Sequence, residues 1–268
     1  MTRRTAILTV DGMSTAPATA PTAATTTLLR ERPAAATTTA TPPEPGPPTL
    51  PPDLLRYEQH VTLAEPHERP GLVLRTMFGS IDLLYGRRGS LEKFLVLEHL
   101  AQVPYRSWER VAQRRVARTR GRSVLARRIQ RRVAEARAQH DNEQWHMLVM
   151  EDLVARRGRR LRRWRHRIVP RLLALPWQAA CWMLHLTRPA WGYRLNAAFE
   201  AHAERTYMAF VAEHPETEHQ PFTGPLADRW PDRTPTVADV LRQIGHDERW
   251  HRLDSERAAR EEESRRAR

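Results

Sequence analysis

Cysteine and lysine are almost missing from this 268-residue chain. Cys181 is the only thiol, so no intrachain disulfide can form, which fits a reducing compartment. Lys93 is the only lysine, so nearly all the positive charge is arginine, and the formal net charge is +13. Strand-type alternation is scarce: from residue 53 onward apolar residues recur at helical spacing. No solenoid repeat is present. Arg3 and Arg4 are not followed by a compact apolar core and cleavage site, so no secretory leader is expected. There is also no uninterrupted apolar run of the ~20 residues that a spanning helix needs. The most apolar stretch, "IVPRLLALPWQAACWMLHLT" at 168–187, is broken by Pro170, Arg171 and Pro176.

Residues 1–52 are Ala, Thr and Pro in low-complexity runs such as "TAPATAPTAATTT" and "TPPEPGPPTLPP". Such a segment buries too little apolar surface to offset its ordering entropy, so it reads as a disordered tail ahead of an all-α domain over 53–262. A first short helix is expected over 70–85. The next starts at Ser90, a good N-cap, and Pro104 marks its end or a kink. A long helix follows over about 108–156, with a break near "RGR" at 120–122. Beyond 168–187, another helix runs from Pro189 to about His214. After a proline-rich loop, the last helix starts near Thr234 to Thr236, with Pro235 suited to an early helical position.

A positive balance of this size points to an anionic partner, nucleic acid or a membrane surface. The arginines from Arg106 to Arg167 come with no groove-reading motif, zinc finger or RNA-binding signature, so no nucleic-acid partner is expected. Segment 168–187 has two readings. Flanked by Arg160, Arg162, Arg163, Arg165 and Arg167, and containing Trp177 and Trp182, it suits a helix lying in the membrane interface. It equally suits a core helix with a solvated basic flank.

Two Glu-x-x-His pairs stand out: Glu143 with His146 in "NEQWH", and Glu248 with His251 in "HDERWH". Side chains at i and i+3 share a helix face, so one helix can offer a metal ion both an oxygen and a nitrogen. A third pair, Glu216 and His219, is flanked by prolines and reads as a loop coincidence. Di-iron helical sites combine two such pairs with one glutamate from each of two further helices. Glu98 is one candidate, since Phe94, Leu95 and Ala101 share its face and a buried carboxylate is costly unless paired or metal-bound. An ion pair with an arginine is the alternative. On the remaining helix, spacing leaves Glu200 and Glu204 both open, as each shares a face with Tyr207. His202 reads as a surface or interface histidine.

In this order the residues resemble the alternative oxidase family, the membrane-associated di-iron quinol oxidases that include plastid terminal oxidases. "LEHLAQVP" is similar to the family's "LETVAAVP", and "NEQWH" to "NERMH". "RLNAAFEAHAERTY" resembles "RxVGYLEEEAxxxY", with Arg194, Glu200, Ala203 and Tyr207 in register, and "DVLRQIGHDERWH" resembles "DVxxxIRADEAxH". Pro189 falls on the proline of the family's "SPR" motif. The likeness spans about 75–255.

The resemblance implies a four-helix di-iron carboxylate bundle with additional short helices. Its metal ligands would be Glu98, Glu143, His146, Glu200, Glu248 and His251, holding two Fe ions. Glu200 rather than Glu204 is the aligned ligand. Tyr207 takes the place of a tyrosine beside the iron pair that is implicated in O2 reduction, and Asn142 and Asp247 match residues that orient ligands. The implied activity is transfer of electrons from a quinol to O2, giving water without proton pumping. The implied location is one membrane leaflet, on the cytoplasmic side in a bacterium, and a homodimer is implied by the family alone. Ala201 and His202 replace two acidic residues of the family pattern, and Lys93 replaces an arginine; all three lie toward the family's quinol side. The competing expectations are a di-iron hydroxylase or desaturase acting on a lipid-like substrate, an arginine-rich nucleic-acid-binding protein, and a metal-free structural bundle.

Overall fold

The computed structural model describes residues 47–66, 69–119, 121–158 and 164–267. The tail expected over 1–52 lies outside the described residues as far as 46. From Pro47 the chain lies along the last helix: Leu50 N donates to Gln243 Oε1 (2.8 Å), and Gln243 Nε2 donates to the Pro48 carbonyl (3.1 Å).

The described residues are all-helical. The helices are α1 (Pro52–Ala64), α2 (Leu72–Tyr85), α3 (Leu91–Ala117), α4 (Ser123–Arg156), α5 (Val169–Thr187), α6 (Pro189–Glu213) and α7 (Val237–Arg266). A π-helical turn, Trp164–Ile168, leads into α5, and two short 3-10 turns, Pro215–His219 and Pro225–Ala227, lie between α6 and α7. α3 packs along α4 and α6 along α7, while α5 lies on α3 and α1 on α7. Leu97, Leu100, Val149, Phe199, Leu241 and Ile244 belong to the shared core, all essentially inaccessible to solvent. Burial of this apolar surface is the main favourable term, worth about 1.5–3 kcal/mol for each large side chain.

Helix starts follow local chemistry. The Ser90 hydroxyl accepts from Lys93 N (3.2 Å) and opens α3. Thr236 caps α7 in a reciprocal capping box with Asp239, so Pro235 precedes the cap instead of occupying the first turn. α1 is an element that the apolar spacing did not reveal. Its inward face sets polar groups beside the buried Leu55: Gln59 donates to the Met208 carbonyl (2.8 Å) and accepts from Arg242 (2.8 Å).

Pro104 does not end its helix. α3 runs through it to Ala117, so residues 108–117 belong to α3 and not to the following helix. The interruption near 120–122 is present, and Gly121 there takes the left-handed φ of +76°. A proline inside a helix leaves the carbonyl four residues earlier without its donor. Here that carbonyl is Leu100 O, and the buried Trp177 indole donates to it at 3.1 Å. Trp177→Phe is therefore expected to lower stability by about 1–3 kcal/mol, because a buried acceptor loses its partner. Chemical denaturation checks this; an unchanged midpoint would show that the proline is accommodated otherwise.

α5 presents two faces, one buried and one exposed. Trp177, Cys181 and His185 recur every four residues and are buried. Leu172 (60% exposed) and Leu175 (63% exposed) face outward, with Ile168, Met183 and Leu186 also exposed. Trp177 is therefore a core residue and not a membrane-interface anchor. The charged end of α7 is helical rather than a loose tail, supported by i,i+4 pairs such as Arg257–Glu261 (3.5 Å) and Arg265–Glu261 (3.6 Å).

Candidate metal centre

The structure brings all six predicted ligands together. Glu98 comes from α3, Glu143 and His146 from α4, Glu200 from α6, and Glu248 and His251 from α7. Each is at most 1% exposed. They form two overlapping groups able to hold a metal ion. Glu98, Glu143, His146 and Glu248 make one; Glu143, Glu200, Glu248 and His251 make the other. Within each group the donor atoms lie within 4.8 Å of one another. Glu143 and Glu248 belong to both.

The two halves are built alike. Each tyrosine two turns after a single glutamate reaches across to the glutamate of the other half. Tyr207 on α6 donates to Glu98 Oε1, and Tyr105 on α3 donates to Glu200 Oε1 (2.7 Å). Each bond occupies one carboxylate oxygen and leaves Oε2 turned toward the cluster. Tyr207 is fully buried and stacks on Phe94, ring centroids 4.2 Å apart. Tyr105 is held by Asn196 Nδ2 (3.2 Å).

Eight converging buried atoms make no hydrogen bond: Oε2 of Glu98 and Glu200, both carboxylate oxygens of Glu143 and Glu248, and Nδ1 of His146 and His251; His251 Nε2 also lacks a partner among the described residues, unlike His146 Nε2. They are crowded nonetheless. His146 Nδ1 is 3.2 Å from Glu248 and 3.4 Å from Glu98, and His251 Nδ1 is 2.7 Å from Glu143. Buried polar atoms without partners are rare and costly, and a converging set of them could hold a cation. The donor chemistry fits one, since all are oxygens or imidazole nitrogens.

The electrostatics agree. Burial, then neighbouring carboxylates, pushes Glu98 and Glu200 well above the usual carboxylate range. His146 is raised well above its ordinary value: burial opposes this, but Asp247, Glu143, Glu248 and Glu98 together prevail. Against the same burial, Glu143 and Glu248 raise His251 to about 9. Shifts of this kind mark a crowded set of buried donors.

Asp247 sets the orientation of His146. Its Oδ2 lies 3.2 Å from His146 Nε2 and accepts from Arg229 Nη1 (2.9 Å) and Asn142 Nδ2 (3.1 Å). Burial alone would raise Asp247, but His146 and Arg229 hold it down at about 2. With Nε2–H directed at Asp247, Nδ1 is free to face the cluster.

Glu204, which spacing could not separate from Glu200, lies elsewhere. It is buried against Arg249 (2.8 Å), Arg252 (3.1 Å) and the Thr62 hydroxyl (2.7 Å). Among the described residues no arginine pairs with Glu98. His202 is half-buried and stacks on Phe78 at 3.8 Å. Lys93 is buried and ion-paired with Asp82 (2.5 Å), which fastens α2 to α3. Sequence reasoning missed Tyr105 and Arg229. The repeated spacing Glu98–Tyr105 and Glu200–Tyr207 could have revealed the first; a loop arginine such as Arg229 has no local signal. No protein-family model, curated protein or solved structure matches the chain.

Proposed function

We propose that the chain is a di-iron carboxylate oxidase of four-helix type, reducing O2 to water with electrons from a quinol at a membrane surface. The observation that carries this is the sharing of Glu143 and Glu248 between two four-residue donor groups, with every inward atom unpartnered. Shared carboxylates between two such groups are what a pair of cations requires. Glu98 and His146 would serve one ion, Glu200 and His251 the other, with Glu143 and Glu248 between them. An iron pair, when bound, supplies electron storage and O2 activation.

The protein's own groups supply orientation and protons. Tyr207 and Tyr105 each pin one oxygen of a terminal glutamate, which fixes the other oxygen inward. Tyr207 holds its hydroxyl proton on Glu98, and we assign it the delivery of that proton during O2 reduction. Asp247 and Arg229 fix the ring of His146. Complete burial excludes bulk water from the reacting volume.

The outward face of α5 supports attachment to one leaflet, since it pairs exposed Ile168, Leu172, Leu175, Met183 and Leu186 with the nearby cations Arg167 and Arg171. Among the described residues no helix is long and apolar enough to cross a membrane.

Oxygen uptake by iron-loaded protein on lipid vesicles tests the reading. Quinol is expected to drive uptake without any hydroxylated product, and Tyr207→Phe to slow it by about a hundredfold, the lower end of the range for proton transfer from a positioned side chain. A hydroxylated or desaturated lipid product would favour the second reading of the same ligands. Quinol-independent rates would remove the quinol.

A further inference from the structure

Away from the metal centre, the C-terminal part of α3, the first turns of α4 and the C-terminal part of α7 line an open cleft of about 910 Å3. Nine arginines and three glutamates line it. Several of these arginines are neutralised within the protein: Arg132 by Glu135 (2.7 Å) and Asp254 (2.8 Å), Arg265 by Glu262 (2.8 Å). Arg118, Arg122, Arg128 and Arg131 have no acceptor among the described residues.

The start of α4 adjoins this wall through Arg122 and Leu125. α4 starts at Ser123 with no side-chain cap, so the first-turn amides of a 34-residue helix lack acceptors beside Arg122 and Leu125. Trp108, 4% exposed, and Tyr193, 6% exposed, also line the cleft, with Arg115 and Arg132 over their rings (5.5 and 5.0 Å to the ring centroids). Every unsatisfied group named here carries a hydrogen to donate. The missing complement is rich in acceptors and in negative charge. Guanidinium groups and helix N-termini both favour phosphate oxygens. Trp108, Leu125, Ile129 and Tyr193 add an apolar wall, and the volume lies within the range of small-molecule sites. Such a concave pocket suits a compact anion better than a nucleic-acid duplex.

The geometry points to a binding site for a compact anion carrying clustered phosphate groups, held by Arg118, Arg122, Arg128 and Arg131 at the start of α4. The source is either a free phosphate ester or the headgroup of an anionic lipid. The site is independent of the metal reading and stands or falls without it.

Titration calorimetry of the full chain with inorganic pyrophosphate at low ionic strength tests it. The triple variant Arg118→Gln, Arg122→Gln, Arg128→Gln changes only exposed side chains, so the fold should persist. It is expected to bind at least about tenfold more weakly, as loss of several charge-assisted hydrogen bonds implies. The control Arg75→Gln, Arg87→Gln, Arg88→Gln removes equal charge elsewhere and should bind as the parent does. If pyrophosphate fails to bind but vesicles containing phosphatidylglycerol bind more weakly to the cleft variant than to the control, the site stands and its ligand is a lipid headgroup. Equal losses in both triples, or no binding to either probe, would overturn the proposal.

Discussion

Glu143→Ala is expected to take the metal content of the protein from about two ions per chain to near zero. Glu143 contributes to both donor groups, so its loss strips a ligand from each at once. Glu98 contributes to one group only, so Glu98→Ala should empty or weaken one half and leave Glu143, Glu200, Glu248 and His251 intact. The contrast separates a shared ligand from a terminal one. Elemental analysis after anaerobic loading with ferrous iron reads both variants, and circular dichroism verifies that each remains helical. Full occupancy in Glu143→Ala would remove Glu143 from the ligand set.

Metal loading is expected to raise the melting temperature by on the order of 10 °C. A ligand that binds only the folded state at a thousand times its dissociation constant adds about 4 kcal/mol. Each kcal/mol shifts the midpoint by roughly 2–4 °C for a domain of this size. The stabilisation arises because eight inward atoms gain the partners they lack in the metal-free protein. Differential scanning fluorimetry with and without ferrous iron checks the shift. An unchanged midpoint would mean that the metal-free cluster is already satisfied.

The two Glu-x-x-His pairs were legible because each is local, two ligands one turn apart on a strongly periodic helix. The all-helical architecture was legible for the same reason. Glu98 was legible through its apolar neighbours. The choice between Glu200 and Glu204 was beyond periodicity, because both are buried and differ only in what distant elements bring to them. Glu200 meets Tyr105 and the cluster; Glu204 meets Arg249, Arg252 and Thr62.

Tyr105 was lost to a local rule. Pro104 reads as a helix end or a kink, and as an end it takes Tyr105 out of register with Glu98. The helix continues because Trp177, more than seventy residues away, donates to the carbonyl that the proline abandons. The same contact explains why Trp177 faces the core while Leu172 and Leu175 face out. Arg229 was illegible for a different reason: in a chain with this much arginine, nothing local marks the one that reaches Asp247.

Metal stoichiometry of the detergent-purified protein, by elemental analysis after anaerobic ferrous loading, tests the central claim most directly. The account predicts about two irons per chain, held by the two Glu-x-x-His pairs with Glu98 and Glu200. Absence of bound metal after loading would contradict it and leave the cluster a metal-free structural core.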